Sequence, residues 1–190
     1  MSEIEKIVPE KTALVIIDLQ KGIVMMNAKP NPASEVIKNA SILASRFREK
    51  HMIVFPVHVI SSPETGLHPK SDSNMLRSGP MPDDWADFVP ELNVCSDDVV
   101  ITKRQWGAFY GTELDLQLRR RGIDTIVLCG IATTYGVEST ARFAYEYGYN
   151  QVFASDAISD ISEESHNVSV NHVLKRIGRV LTTEEIIKLL

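Results

Sequence analysis

The sequence predicts an α/β protein: a three-layer α/β/α sandwich around a central, mostly parallel, Rossmann-like sheet of about six strands. Three observations carry this. Short runs apolar at every position recur along the chain, as in strands buried on both faces. Segments with helical spacing of apolar residues separate them, which is the alternation of a parallel sheet. Finally, 190 residues, 44% of them apolar, suffice for one domain with a real core, so residues 1–190 are expected to form a single unit.

The elements follow in order. TALVII, residues 12–17, is a buried strand that ends on Asp18. Residues 33–50 place Val36, Ile37, Ala40, Leu43, Ala44 and Phe47 on one helical face. MIVFPVHV, residues 52–59, reads as a second strand, with Pro56 suggesting its end. Residues 60–97 are rich in Ser, Pro, Gly and Asp. They predict a long loop with a helical turn near Trp85–Val89, and its apolar residues suit a lid or an interface. Val99–Thr102 is a short strand, and Thr112–Arg121 a helix capped by Thr112 and stopped by Gly122. Ile123–Cys129 is a central strand, Gly136–Tyr147 a helix ended by Gly148, and Gln151–Ala154 a strand. Glu163–Ile177 is a helix and Arg179–Leu181 a strand. Thr182 and Glu185 have the spacing of a capping box that opens the last helix.

Charge and composition exclude several functions. A formal net charge of −5 is wrong for nonspecific nucleic-acid binding. The one basic run, Arg119–Arg121, sits where it complements a helix C-terminus. No run approaches the roughly 18 apolar residues of a membrane helix. The MSEIEKIVPEK start lacks the apolar stretch of a signal peptide, and there are only two cysteines. A cytoplasmic protein with reduced thiols is expected.

In parallel sheets ligands bind beyond the carboxyl ends of the strands. The residues standing there are Asp18, His58, Lys103, the Gly130–Gly136 turn and Asp156. Asp18 is either a turn carboxylate or an ionisable group placed for chemistry. Lys103, in VVITKRQWGAF, is either a surface lysine or a partner that holds Asp18 ionised and contacts a negative substrate group. Gly130 permits a tight turn, and Gly136 opens a helix whose free N–H groups would attract an anion. His58 has no neighbouring carboxylate, so no metal site is expected there, and His68 does not supply one. Cys129 reads as a buried apolar residue, and Cys95 lies in a polar loop.

Taken together, Asp18-Leu19-Gln20, Lys103-Arg104 with Ala108-Phe109, the Gly130-Ile131-Ala132-Thr133 turn, Val137–Ala141 and Asp156-Ala157 resemble the isochorismatase-like superfamily, also called the cysteine hydrolases. The resemblance spans nearly the whole chain. It implies Asp18 and Lys103 as catalytic residues, with Gly136 at the position where most members carry a nucleophilic cysteine. That departure removes the thiolate route. Isochorismatases proper also pair Asp and Lys with Gly and hydrolyse a vinyl ether to release pyruvate, which needs a proton donor and a water. The resemblance therefore implies a hydrolase of a small, anionic metabolite. The alternative is a binding or scaffold member without activity.

The implied substrate contacts are Gln20, Trp106 and Phe109 and, around the turn, Ile131, Ala132 and Tyr135. His166 completes the set, as a contact or as a structural hydrogen bond. An unusual backbone at Ile131–Ala132, a cis peptide, is also implied. So are homodimers or homotetramers and the lack of any cofactor. Gly22 and Ala132 stand where isochorismatases have aromatic residues, which marks a different pocket.

Overall fold

The computed structural model describes residues 6–60, 66–67, 69–72 and 81–190. Strand β1, Thr12–Ile17, is buried at every position and forms the centre of the molecule. On either side of it lie β2 (Val54–Val59), β3 (Ile101–Lys103), β4 (Thr125–Ile131), β5 (Asn150–Ser159) and β6 (Arg179–Leu181). All pairings are parallel, in the order β3-β2-β1-β4-β5-β6. The strand order reverses between β1 and β4, so their carboxyl ends flank the crevice where such sheets bind ligands.

Helices cover both faces, giving the predicted three layers. Helix α2, Ala33–Glu49, packs Val36, Ala40, Leu43, Ala44 and Phe47 against Leu14 and Ile16 of β1. The opposite faces of the strands, including Val15 and Ile17, pack on α3 (Leu114–Arg120) and α4 (Glu138–Glu146). The remaining helices are α1 (Lys21–Val24), α5 (Glu163–Val168), α6 (Lys175–Ile177) and α7 (Thr183–Leu189). The capping box at Thr182 and Glu185 is present. Among the described residues no helix is long and apolar enough to cross a membrane.

Several boundaries differ from the sequence reading, each for a physical reason. Pro56 lies inside β2 and does not end it: it pairs with Ile16, while β3 begins its pairing only at Val57. Beside an edge strand this short, a missing N–H costs little. The helix expected to start at Gly136 starts three residues earlier, in a π-helical turn over Thr133–Val137 that runs into α4. A second such turn, Ser169–Leu174, joins α5 to α6. Strand β5 is ten residues long, not four: after Phe153 its register against β4 slips, and Ile158 and Ser159 resume pairing with Gly130 and Ile131. The loop after residue 80 makes a turn at 83–86, an antiparallel bridge at Phe88 and a short 3₁₀ turn at Pro90–Leu92, in place of the helical turn expected at Trp85–Val89. Of the loop's other apolar residues, Met75 and Leu76 lie outside the described residues, as does His68.

Candidate active site at the end of the central strand

Asp18 leaves β1 with φ 52°, a left-handed turn that aspartate tolerates better than most residues. Its N–H donates to the Val57 carbonyl, which keeps the turn in register with β2. Its side chain is buried. Lys103, also buried, reaches across from the end of β3, and its Nζ donates to Asp18 Oδ2 at 2.7 Å. The ammonium gives its two other N–H groups to the carbonyls of Trp106 (2.7 Å) and Gln105 (3.1 Å). An ammonium has three donors and no acceptor, so Lys103 is fully occupied by protein. It holds Asp18, as expected, but has no N–H left for a negative substrate group.

Asp18 is not satisfied in return. Oδ1 is buried and accepts no hydrogen bond among the described residues. Burial raises the Asp18 pKa from 3.8 to about 6, against the opposing pull of Lys103 and, more weakly, of His58. The site thus holds a carboxyl group that changes protonation near neutrality, with one oxygen anchored and the other uncommitted.

The third wall is the β4-to-α4 turn. A Cβ built on Gly130 would lie 2.0 Å from the Ile17 carbonyl oxygen, and Gly130 has φ 119°; only glycine fits. The Ile131–Ala132 peptide is cis, as the resemblance implies. The Ala132 carbonyl then accepts the N–H groups of Tyr135 and Val137 to open the helix. Gly136 faces the ion pair: a Cβ there would sit 3.1 Å from Asp18 Oδ2, 3.5 Å from Lys103 Nζ and only 2.7 Å from Ile17 Cγ2. Ala108 N donates to Thr140 Oγ1, which donates to the Gly136 carbonyl, so the segment after Lys103 is tied to the same helix.

The other predicted contacts divide. Tyr135 is half-buried, with the exposed Trp106 ring edge-on at 4.9 Å, and Trp106 is next to the site through its carbonyl. Gln20 is fully buried and spends its amide on backbone: Nε2 donates to the carbonyls of Val59 and Trp85, and Oε1 accepts from Val59 N. It clamps β2 to the 81–89 loop. Phe109 packs on Tyr147 and Tyr149 in the core with α3 and α4. Ile131 is wholly buried, so only its backbone borders the turn, while Ala132 is nearly so. His166 Nδ1 hydrogen bonds Thr133 Oγ1 at 2.9 Å and so braces the turn, and burial lowers its pKa. His58 uses both ring nitrogens, on Ala86 O and Thr102 Oγ1, and stacks on Phe88.

Two site features escaped the sequence reading. The first is Asp160. Asp156 instead anchors α7 through Thr183 N and Oγ1, whereas Asp160 Oδ2 takes Thr134 N (2.6 Å) and Thr134 Oγ1 (2.7 Å) and so fixes the active turn. Asp160 is the residue directly after β5, and a strand end drawn at 159 would have found it. The second is Trp85. Its indole lies against Gly22, where any Cβ would fall 1.9 Å from Trp85 Cδ1. The Trp85 ring thus fills the space that a side chain at position 22 would take. Backbone bonds from Lys21 and Gly22 to Asp87 and Trp85 sew that loop to the chain after β1.

A parallel sheet with a buried ionisable pair at the carboxyl ends of its strands defines the class as an α/β protein of the doubly wound type. Comparison with known proteins gives the family. Residues 12–185 match the isochorismatase domain, and the chain belongs to that family. It is 51% identical to the uncharacterized isochorismatase family protein YwoC of Bacillus subtilis, over 94% of each chain. Among solved structures it is similar to an isochorismatase family protein from Burkholderia thailandensis, with 43% identity, a TM-score of 0.92 and 98% of each chain covered. It is more distantly similar to N-carbamoylsarcosine amidase from Thermoplasma acidophilum, at 26% identity and TM-score 0.76, over 93% of this chain and 98% of that one. The family is one of hydrolases.

Proposed function

We propose that this chain hydrolyses a small metabolite by proton transfer through Asp18, without a sulfur nucleophile. The observation that supports this best is the half-satisfied carboxyl group: Oδ2 is held by Lys103, and Oδ1 is buried without a hydrogen-bond partner among the described residues. With a pKa raised to about 6, Asp18 holds a proton often enough to donate it and releases it easily enough to take one back. Gly136 brings no side chain to the pair. Cys129 is no substitute, because it is buried in β4 and burial pushes its thiol pKa up.

Vinyl-ether hydrolysis fits this machinery. Asp18 gives its proton to the enol carbon, and the ether oxygen stabilises the cation that forms. Water adds to that cation and returns a proton to the Asp18 carboxylate. The resulting hemiketal then collapses to a ketone and an alcohol. Lys103 acts through Asp18 by stabilising the carboxylate left after proton donation. Any anionic group of the substrate is met by groups other than Lys103, whose donors are taken.

The test is a turnover assay on isochorismate and related vinyl ethers, followed by a broader metabolite panel. The wild-type chain should turn over one of them. Its rate should fall as pH rises above about 6, because the acid form is then lost. Asp18→Asn should lose about 100- to 10,000-fold in kcat, the range for one general acid. Cys95→Ala, Cys129→Ala and thiol alkylation should change little. Loss of activity on alkylation, with Asp18→Asn still active, would replace this mechanism by a cysteine-based one.

A further inference from the structure

The residues that follow Asp18 all serve one distant segment of the chain. The Leu19 carbonyl accepts from Val89 N, the Gln20 amide donates to the Trp85 carbonyl, and Lys21 N and Gly22 N donate to the carbonyls of Asp87 and Trp85. Gln20 and Phe88 form an antiparallel bridge, and the Trp85 ring covers Gly22. Residues 84–89 are therefore a strap laid along the chain as it leaves β1. The acidic groups of the strap, Asp84 and Asp87, are exposed and paired with Lys21.

His58 ties this strap to the site from β2. Its Nδ1 lies 2.9 Å from Ala86 O, its ring stacks on Phe88 at 4.9 Å, and its Nε2 lies 2.8 Å from Thr102 Oγ1, on the β3 residue next to Lys103. A carbonyl only accepts, so Nδ1 carries a hydrogen, and Nε2 of the neutral ring accepts from the Thr102 hydroxyl. That hydroxyl can accept as well as donate, so an imidazolium keeps both bonds. His58 can therefore take up a proton without moving, and histidine is the side chain that ordinarily does so between pH 5 and 8. It is also, after Lys103, the second cationic group that acts on Asp18.

Resting on the reading of Asp18 as the working residue, we propose that His58 is a positioning residue with two separable parts: its ring fastens the 84–89 strap to the ends of β2 and β3, and its cationic form stabilises the Asp18 carboxylate through space. Both ring nitrogens are held by other groups, so the second part needs no bond to Asp18. Two substitutions separate the parts. His58→Asn puts an amide N–H near the place of Nδ1, which keeps the bond to Ala86 O and removes the charge. His58→Ala removes both. In the full chain, carbon-13 NMR follows the titration of the Asp18 carboxyl group. Amide hydrogen exchange of Lys21 and Gly22, whose N–H groups donate to the strap, follows its seating, and a thermal melt checks the folding of each variant.

The midpoint of Asp18 should rise in both variants by about half a pH unit, or about threefold in proton affinity, because a cation that favours the carboxylate is gone. Exchange of the Lys21 and Gly22 amides should quicken by about threefold or more in His58→Ala, the effect of one lost hydrogen bond, and stay near the wild-type rate in His58→Asn. An Asp18 midpoint unchanged in both variants would overturn the electrostatic part. A rise confined to His58→Ala would overturn it too, because the seating of the strap and not the charge would then be acting. Exchange unchanged in His58→Ala would overturn the fastening part. No readout here uses turnover, so a failure is distinct from a failure of the hydrolytic reading.

Discussion

Two buried aspartates stand at the same edge of the sheet, and their surroundings give them opposite parts. Asp160 has donors on both oxygens: Thr134 N and Oγ1 on one, Ile161 N on the other. All three are neutral groups fixed by local backbone, and the carboxylate is spent on holding the π-helical turn over Thr133–Val137. Asp18 has one donor on one oxygen and, among the described residues, none on the other. Burial alone does not mark a carboxylate as functional; under the proposed function the mark is a buried oxygen left without a partner, beside a cation whose donors are taken. On the proposed function, that contrast separates scaffold from chemistry here.

The comparison can be broken at Asp160. Asp160→Ala strands two backbone N–H groups and the Thr134 hydroxyl in a largely buried setting. At about 1–3 kcal/mol for each unsatisfied group, urea denaturation should show a loss of about 3 kcal/mol or more. Asp160→Asn, which keeps one acceptor oxygen, should lose clearly less. A loss under about 1 kcal/mol for the alanine variant would mean that the turn holds itself and that Asp160 is no brace.

It can be sharpened at Gly136. A methyl group there meets Ile17 Cγ2 at 2.7 Å, and a β-branched side chain in a buried strand cannot swing aside. Gly136→Ala should therefore lose about 1–2 kcal/mol, overpacking outweighing the gain in helix propensity. Ile17→Leu, which removes the β-branch, should recover part of that loss in the double variant. Gly136→Cys meets the same obstacle, so it should not create amidase activity on nicotinamide or a carbamoylated amine. A Gly136→Ala variant as stable as wild type would show that the space is open after all.

Much of this was legible in the sequence. The run 12–17, the α2 face and the capping box are local patterns of hydrophobicity and hydrogen bonding, and they appear where those patterns put them. Asp18, Lys103 and Gly136 meet because each stands at the carboxyl end of a strand or just beyond it, a rule of parallel sheets that sequence can apply. What the sequence did not reveal came from contacts between distant segments. The slip in β5 that places Asp160 at the turn depends on pairing with β4. Gln20 and Phe109 have the residue types of a pocket, but Gln20 is drawn to Val59 and Trp85, and Phe109 to Tyr147 and Tyr149. That Lys103 has no donor to spare follows from the carbonyls of Gln105 and Trp106 turning back on it. Residue spacing does not encode that turn.

The central claim is that Asp18 is a buried carboxyl group whose second oxygen is uncommitted. A direct measurement is a carbon-13 NMR titration of its side-chain carboxyl, with the resonance assigned by its disappearance in Asp18→Asn. The account predicts a midpoint at about pH 6, because burial outweighs the pull of Lys103. A midpoint near or below 4, the ordinary aspartate value, would contradict it, since the carboxylate would then be stabilised on both oxygens or open to water.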